Sequence, residues 1–462
     1  MKTDGIRISL KEKIGYSVGD TASNLFFQTI ILFLPLFYTD VFGISPAAIG
    51  TMFLITRIWD AVNDPIMGMI ADRTNTKWGK FRPFLLWFAL PFGIAAVLTF
   101  TTPHFGPSSK LIYAYITYTV MMMLYTVINV PYSALMGVIT PNSMDRTVIS
   151  SFRFVAAFTG GLIVQGSALF LVRKFGGGND EVGWQWAMGI LAALAVILFF
   201  VTFATTKERV GSPEGEKKKL KQDLKYLFTN KPWVLIGSAT VFQLMFIVIR
   251  NSSIVYYFKY FVQDQQVALF GNLHQYSYAL LYSAFLLLGS LFTILGAILT
   301  KWFVVKVDKG KAYAVSMVVG AVSTVLVLPL GYNDIVLMFI LQFIFSFAMG
   351  PISVLQWAIY TDTADYSEWK FNRRITGLIM SASLFALKLG LALGGAFLGW
   401  ILNAYHFSPN IQQASDSMGG IRMLMSLYAA IPALIGFGIM YFYPLTNKKM
   451  AEMELELSKR RK

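Results

Sequence analysis

The chain has no cysteine, only three histidines, and charge on just 14% of its residues. Without cysteine there can be no disulfide, no thiolate nucleophile and no thiolate ligand for a metal. His104, His274 and His406 stand apart in or near loops and suggest no metal constellation. No nucleophile motif or phosphate-cradling glycine loop stands out, so neither an enzyme nor an organic cofactor is expected. Apolar surface is present in excess: 462 residues, 56% hydrophobic and 15% aromatic, with a mean hydropathy of +0.58. A soluble domain rarely reaches such values, and the apolar runs are long enough to span a bilayer. The formal charge of +15 does not indicate nucleic acid, because the Lys and Arg residues fall in alternate loops, as the cytoplasmic loops of a membrane protein require. The polar start, Met1 to Lys13, lacks a cleavable signal pattern, so the first apolar segment is expected to remain as a helix.

Apolar segments fall near 14–40, 46–71, 82–103, 110–140, 146–173 and 184–206. Six more follow near 232–262, 273–301, 310–331, 334–361, 371–404 and 420–443. The pattern predicts an all-α membrane protein of twelve transmembrane helices in two pseudo-symmetric six-helix halves. The expected boundaries are 1–206 for the first bundle, 207–231 for a cytoplasmic linker, 232–445 for the second bundle and 446–462 for a basic tail. Loop charge places both termini in the cytoplasm, with Arg173-Lys174 as the one exception to the pattern, roughly balanced by Asp180-Glu181. A faint repeat relates Pro131-Tyr-Ser-Ala-Leu135 to Pro351-Ile-Ser-Val-Leu355, about one half apart. Together with the six-plus-six layout it favours two halves with a binding site between them.

The second segment carries Asp60 and Asp64. A carboxylate at bilayer depth costs about 2.5–3.5 kcal/mol on insertion scales. The i, i+4 spacing puts both on one helix face, about 6 Å apart along the axis. Counted back from Asp72-Arg73 at the membrane edge, Asp64 lies about 12 Å deep and Asp60 about 18 Å, near the middle of a ~30 Å core. Two such anions resist being ionised together unless a small cation sits between them. Asp20 opens the first segment beside Tyr16 and Asn24. Thr126 and Asn129 share a face of the fourth, just before Pro131, which frees a backbone carbonyl. Arg153, Arg250, Lys259 and Lys388 add cations at membrane depth. Lys388 and Arg153 are natural partners for Asp60, Asp64 and Asp20. The alternative is an ion-pair network that only locks the bundle; the spread over five segments favours a lined substrate and ion pathway.

These same residues resemble a known family. Arg57-Ile-Trp59-Asp60-Ala-Val-Asn63-Asp64-Pro65-Ile-Met-Gly68 followed by Trp78-Gly79-Lys80-Phe-Arg82-Pro83 is similar to the helix 2 and loop motif of the glycoside–pentoside–hexuronide:cation symporters. This is the melibiose permease family of the major facilitator superfamily. Gly15-Tyr16 with Gly19-Asp20, Asn129-Val-Pro131-Tyr132-Ser133, Tyr256-Tyr257-Phe-Lys259-Tyr260, and Ala364-Asp365-Tyr366 with Lys388 extend the resemblance over the chain in order. It implies a major facilitator fold in a bacterial-type inner membrane. It also implies a cation site at Asp60 and Asp64 with Thr126 as third oxygen ligand, and sugar contacts at Asp20 and Arg153 with Lys388 near both. Tyr16, Asn24, Asn129 and Arg250 join the expected sugar-binding set. Melibiose permease has an aspartate where this chain has Asn129 and a tryptophan where it has Ser133. Galactoside specificity is therefore not implied, and Asn-x-Pro-Tyr looks more like the xyloside, glucoside and glucuronide branch.

The resulting expectation is a symporter, acting as a monomer, that imports a glycoside, pentoside or hexuronide with Na⁺ or H⁺ by alternating access. A cytoplasmic gate is expected from Asp72, Arg73 and Arg82, from Asp145-Arg146, and from Asp365 with Arg373 and Arg374. Solvated topology charge is the plainer alternative for that set. Two other functions compete: a lipid or lysolipid carrier, which would need an apolar lining, and a sugar sensor, which would need an added soluble domain.

Overall fold

The computed structural model describes residues 8–140, 143–209, 220–269, 272–304, 307–372 and 376–460. The chain divides into two compact units, Met1–Glu214 and Gly215–Lys462.

The first unit holds α1 (Leu10–Leu36), α2 (Pro46–Arg73), α3 (Arg82–Thr99), α4 (Pro107–Ile139), α5 (Ser143–Gly176) and α6 (Asp180–Thr205). Local sequence sets where they start. The Ser9 hydroxyl accepts from the Glu12 N–H at the head of α1, and the Asn179 side chain accepts from Glu181 and Val182 at the head of α6. The helices α2, α3 and α4 each carry proline in their first turn, where its missing N–H has no intrahelical partner to lose. Every one of these helices but α3 is long enough to cross the ~30 Å hydrocarbon core; α3, with 18 residues, reaches about 27 Å. Packing runs α1 against α5 and α6, α3 against α4 and α6, and α2 against α4.

The second unit repeats this plan with α8 (Lys231–Tyr256), α9 (Tyr278–Val304), α10 (Lys309–Val325), α11 (Ile335–Phe371), α12 (Thr376–Ala404), and the pair α13 (Ser415–Met425) and α14 (Leu427–Tyr441). Here α8 packs on α12 and α14, α10 on α11 and α14, and α11 on α9. Both first helices end in a π-helical turn, Phe37–Val41 after α1 and Tyr257–Val262 after α8.

Ten helical stretches among the described residues are long and apolar enough to cross a membrane. The helices α2 and α10 fill the other two expected positions. Arg57, Asp60 and Asp64 interrupt the apolar run of α2, and α10 has only 17 residues.

Four local features depart from the sequence expectation. The stretch expected as a linker contains α7 (Leu220–Thr229), an amphipathic helix that buries Leu227 against Trp233 and Ala364. The run expected to begin the eighth span is instead a hairpin, β1 (Gln265–Leu269) paired antiparallel with β2 (Asn272–Tyr276), with Gln265 opposite Tyr276. The twelfth span breaks at Ser426, whose φ −126° and ψ −94° separate α13 from α14. The expected tail forms α15 (Asn447–Arg460), which buries Met450 and Met453 beside Tyr366.

Candidate functional site

The middle of α2 faces α4, and the three oxygens that the sequence marks out converge there. Thr126 Oγ1 stands 2.7 Å from Asp60 Oδ1 and 3.1 Å from Asp64 Oδ1. A hydroxyl carries a single proton, so it can donate fully to only one of two carboxylates. The remaining oxygen–oxygen contact needs a shared proton or a small cation to be favourable. Asp60 is 2% exposed, and its other oxygen faces Arg57 Nη1 at 3.8 Å. That guanidinium, one helical turn away on α2, offsets part of the negative charge of the pair. Oxygen-only ligation of this kind suits a hard ion.

A second polar cluster lies on α1, α4 and α5. Arg153 grips Asp20 with two hydrogen bonds, Nε to Oδ2 at 2.6 Å and Nη2 to Oδ1 at 3.1 Å. The two side chains remain 21% and 16% exposed. Beneath them Tyr16 and Tyr132 are fully buried, with ring centroids 4.8 Å apart. The Tyr16 hydroxyl donates to the Tyr132 carbonyl at 2.9 Å. The Tyr132 hydroxyl reaches the Tyr16 carbonyl at 2.8 Å and Asp20 Oδ2 at 2.7 Å. The Arg153 guanidinium lies over both rings, 5.0 Å from that of Tyr132 and 5.5 Å from that of Tyr16. The outcome is a fixed carboxylate and a fixed fork of donors, still reachable, on a rigid aromatic base. Such a pair can accept from and donate to neighbouring hydroxyls at once.

Other expected sugar contacts are placed differently. The Asn24 amide donates to the Asp20 carbonyl at 2.9 Å. Asn129 accepts from Ser23 at 2.7 Å and donates to the Tyr125 carbonyl at 2.9 Å, so it ties α1 to α4. Tyr16 is buried and supports Asp20 instead of facing outward. In the second unit Arg250 is fully buried. Its Nη2 donates to Gln342 Oε1 at 2.7 Å, its guanidinium lies 3.6 Å from the Phe345 ring centre, and its Nε and Nη1 meet no hydrogen-bond partner among the described residues. Lys388 lies within α12.

Of the expected gate, the side chains of Asp72, Asp145 and Arg146 and the whole of Arg373 and Arg374 lie outside the described residues. Arg73 is exposed and Asp365 half-buried. Arg82 donates to the Phe203 carbonyl at 2.6 Å and the Trp78 carbonyl at 3.3 Å. A network beyond the sequence expectation holds this end of the first unit. Glu208 accepts from the backbone N–H groups of Lys80, Phe81 and Arg82 at 2.7–2.9 Å. Glu12 takes both terminal nitrogens of Arg209 at 2.7 and 2.8 Å, and this hydrogen bonding raises the Arg209 guanidinium further above its ordinary value. Lys207 to Arg209 read as linker charge in the sequence, and nothing in their spacing announces these partners. Tyr132 does carry a signal: it is the polar head that follows Asn129-Val-Pro131 inside an apolar run.

The sequence profile of the family described as MFS/sugar transport protein matches residues 15–447. YagG of Escherichia coli (strain K12), named as a putative glycoside/cation symporter, is 37% identical over 461 residues, covering 98% of this chain and 96% of its own. An isoprimeverose transporter of Lactiplantibacillus pentosus is 34% identical, covering 96% of this chain and 91% of its own. A glucuronide carrier protein homolog of E. coli (strain K12) is 30% identical over 99% and 97%. Among solved structures, a bacterial homolog of the human lysosomal transporter Spinster superposes with a TM-score of 0.67 at 14% identity, over 96% of this chain and 97% of that one. The nucleoside transporter NupG gives 0.61 at 15% identity, over 94% and 100%. At such identities these two likenesses establish the fold alone.

Proposed function

The chain belongs to the MFS/sugar transport protein family, and from that premise we propose that it is a multi-pass inner-membrane symporter that imports a glycoside or related sugar together with a monovalent cation. Its relatives are named for glycosides, isoprimeverose and glucuronide, which supports a glycoside or hexuronide as the cargo. The observation that carries the coupling is the shared hydroxyl: Thr126 between Asp60 and Asp64, at 2.7 and 3.1 Å. In this reading Na⁺ or H⁺, together with Arg57, balances the charge of the pair, and the sugar bridges Asp20 and Arg153. The cation removes net negative charge from α2, and each ligand then raises the affinity for the other by the same factor. Rearrangement of the two units exposes the loaded site to alternate sides, with both termini in the cytoplasm.

Uptake into proteoliposomes under separately imposed Na⁺ and proton gradients tests this. Asp60→Asn and Asp64→Asn are each expected to abolish gradient-driven accumulation while sugar binding or exchange persists. Normal accumulation by both variants would remove the assignment of these carboxylates. A panel of glucosides, xylosides and glucuronides in the same assay names the sugar.

A further inference from the structure

The basic pair Arg173-Lys174 breaks the alternation of loop charge, and it lies at the end of α5 on the side opposite the start of α1. Lys174 Nζ rests over the rings of Phe170 and Phe175, 5.6 and 5.9 Å from their centres, and makes no ion pair among the described residues. Phe175 stacks on Trp186 of α6 with centroids 6.1 Å apart. All three rings are exposed, Trp186 to 57%. A lysine on an aromatic shelf at the end of two spans is the composition of a membrane–water interface.

The face of α6 below Trp186 continues through Gly189, Ala193 and Ile197 at helical spacing. With Leu90, Ile94, Val97 and Leu98 of α3 these positions line a groove of about 470 Å³. Its walls are glycine, alanine and aliphatic side chains, and the small ones at Gly93, Gly189, Ala192 and Ala193 make its depth. From Gly189 to Ile197 the groove runs about 12 Å along α6, close to the ~15 Å depth of one leaflet. A cation at the interface above a hydrocarbon slot fits an amphiphile with an anionic head and a long tail. Asp180 and Glu181 open α6 on the same side, so the headgroup that fits is a single phosphate close to Lys174.

We propose that this face binds one anionic phospholipid of the leaflet opposite the N-terminus, with its phosphate at Lys174 and one acyl chain in the α3–α6 groove. The lipid is a resident partner and not cargo: none of the groove's lining residues belongs to α1, α2, α4 or α5, which carry the polar clusters.

The test uses the full chain in detergent and native mass spectrometry, with phosphatidylglycerol and phosphatidylcholine of identical acyl chains. The wild type is expected to retain phosphatidylglycerol about fivefold more tightly, the contribution of one interfacial lysine. Lys174→Gln removes that preference and leaves weaker, headgroup-blind binding. Gly189→Leu fills the groove and removes both lipids. A Cβ at Gly189 meets nothing within 4 Å, so this variant keeps its helix packing, and an unchanged thermal melt verifies it. Equal retention of the two lipids by the wild type, or undiminished binding by Gly189→Leu, would overturn the proposal.

Discussion

The Thr126 hydroxyl stands between two carboxylates and can donate to one of them, and a hydrogen bond to a charged group is worth about 1.5–3 kcal/mol. Thr126→Val is therefore expected to weaken cation activation of sugar uptake about tenfold to a hundredfold, and Thr126→Ser to retain it. Titrating uptake against cation concentration checks both. At the scale of single residues this site is the most legible part of the chain, because intramembrane carboxylates are costly and helical periodicity fixes which ones share a face. Asp60 and Asp64 pair from spacing alone, whereas the third oxygen, Thr126, needs family resemblance. Arg250 is legible as a cation in an apolar run, but its burial is not, since Gln342 and Phe345 lie nearly a hundred residues away. A guanidinium with two buried, unpartnered nitrogens opposes folding. Replacing a buried ion pair by apolar side chains of similar volume is often neutral or stabilising by about 1–4 kcal/mol, and Arg250, whose hydrogen-bond partner is the neutral Gln342, is compensated less than such a pair. Arg250→Met is expected to raise the melting temperature in detergent; a fall would mean that the arginine stabilises the unit through packing.

The elements themselves are largely readable from hydropathy, while their contacts are not. Close approach of α1 to α5 depends on Gly160, where a Cβ would lie 2.7 Å from the Thr21 carbonyl oxygen; that of α8 to α12 depends on Gly390, with 2.6 Å to the Val241 carbonyl oxygen. In each case the obstacle is backbone, which cannot rotate aside. Gly160→Val and Gly390→Val should each destabilise their own unit by about 1–3 kcal/mol, measured as a lower melting temperature. The helix at the end of the chain escapes the hydropathy pattern because a charged, short segment gives a weak apolar signal. Yet Met450, Met453 and Leu457 recur at helical spacing and are buried. The α15 helix is also tethered at its head, where the Asn447 N–H donates to Asp308 Oδ1 at 2.9 Å. That bond, with Lys311 beside it, holds the Asp308 carboxyl below its ordinary value. A depressed carboxylate contributes stability above its unfolded value and loses it as pH falls through the folded one. Hydrogen exchange at Asn447–Arg460 is accordingly expected to quicken at acid pH relative to the intrinsic rate, and Asp308→Asn to show the faster exchange already at neutral pH.

The two units are built on one plan, and the differences between them decide where coupling resides. Their first helices end alike in π-helical turns, and α4 and α11 carry matching prolines at 131 and 351. Only the prolines are visible in the sequence, since a π turn leaves no residue signature of its own. With the two prolines placed in register, Ser346 is the counterpart of Thr126, each five residues before its proline. Around Thr126 stand two carboxylates, but around Ser346 the neighbouring helix α9 presents Gly289, where a Cβ would lie 2.9 Å from Ser346 Oγ. The sequences of α8, α9, α10 and α12 contain no aspartate or glutamate at all. A lone hydroxyl with no anion beside it is a weak ligand for a monovalent ion, so the second unit has the scaffold of the proposed ion site without its charge. Coupling should then be one-sided. Ser346→Val is expected to leave ion-driven accumulation intact, in contrast to Thr126→Val, and the flux ratio should be one ion per sugar when labelled cation and sugar are followed together. A ratio of two, or loss of ion dependence in Ser346→Val, would place a second ion in the other unit.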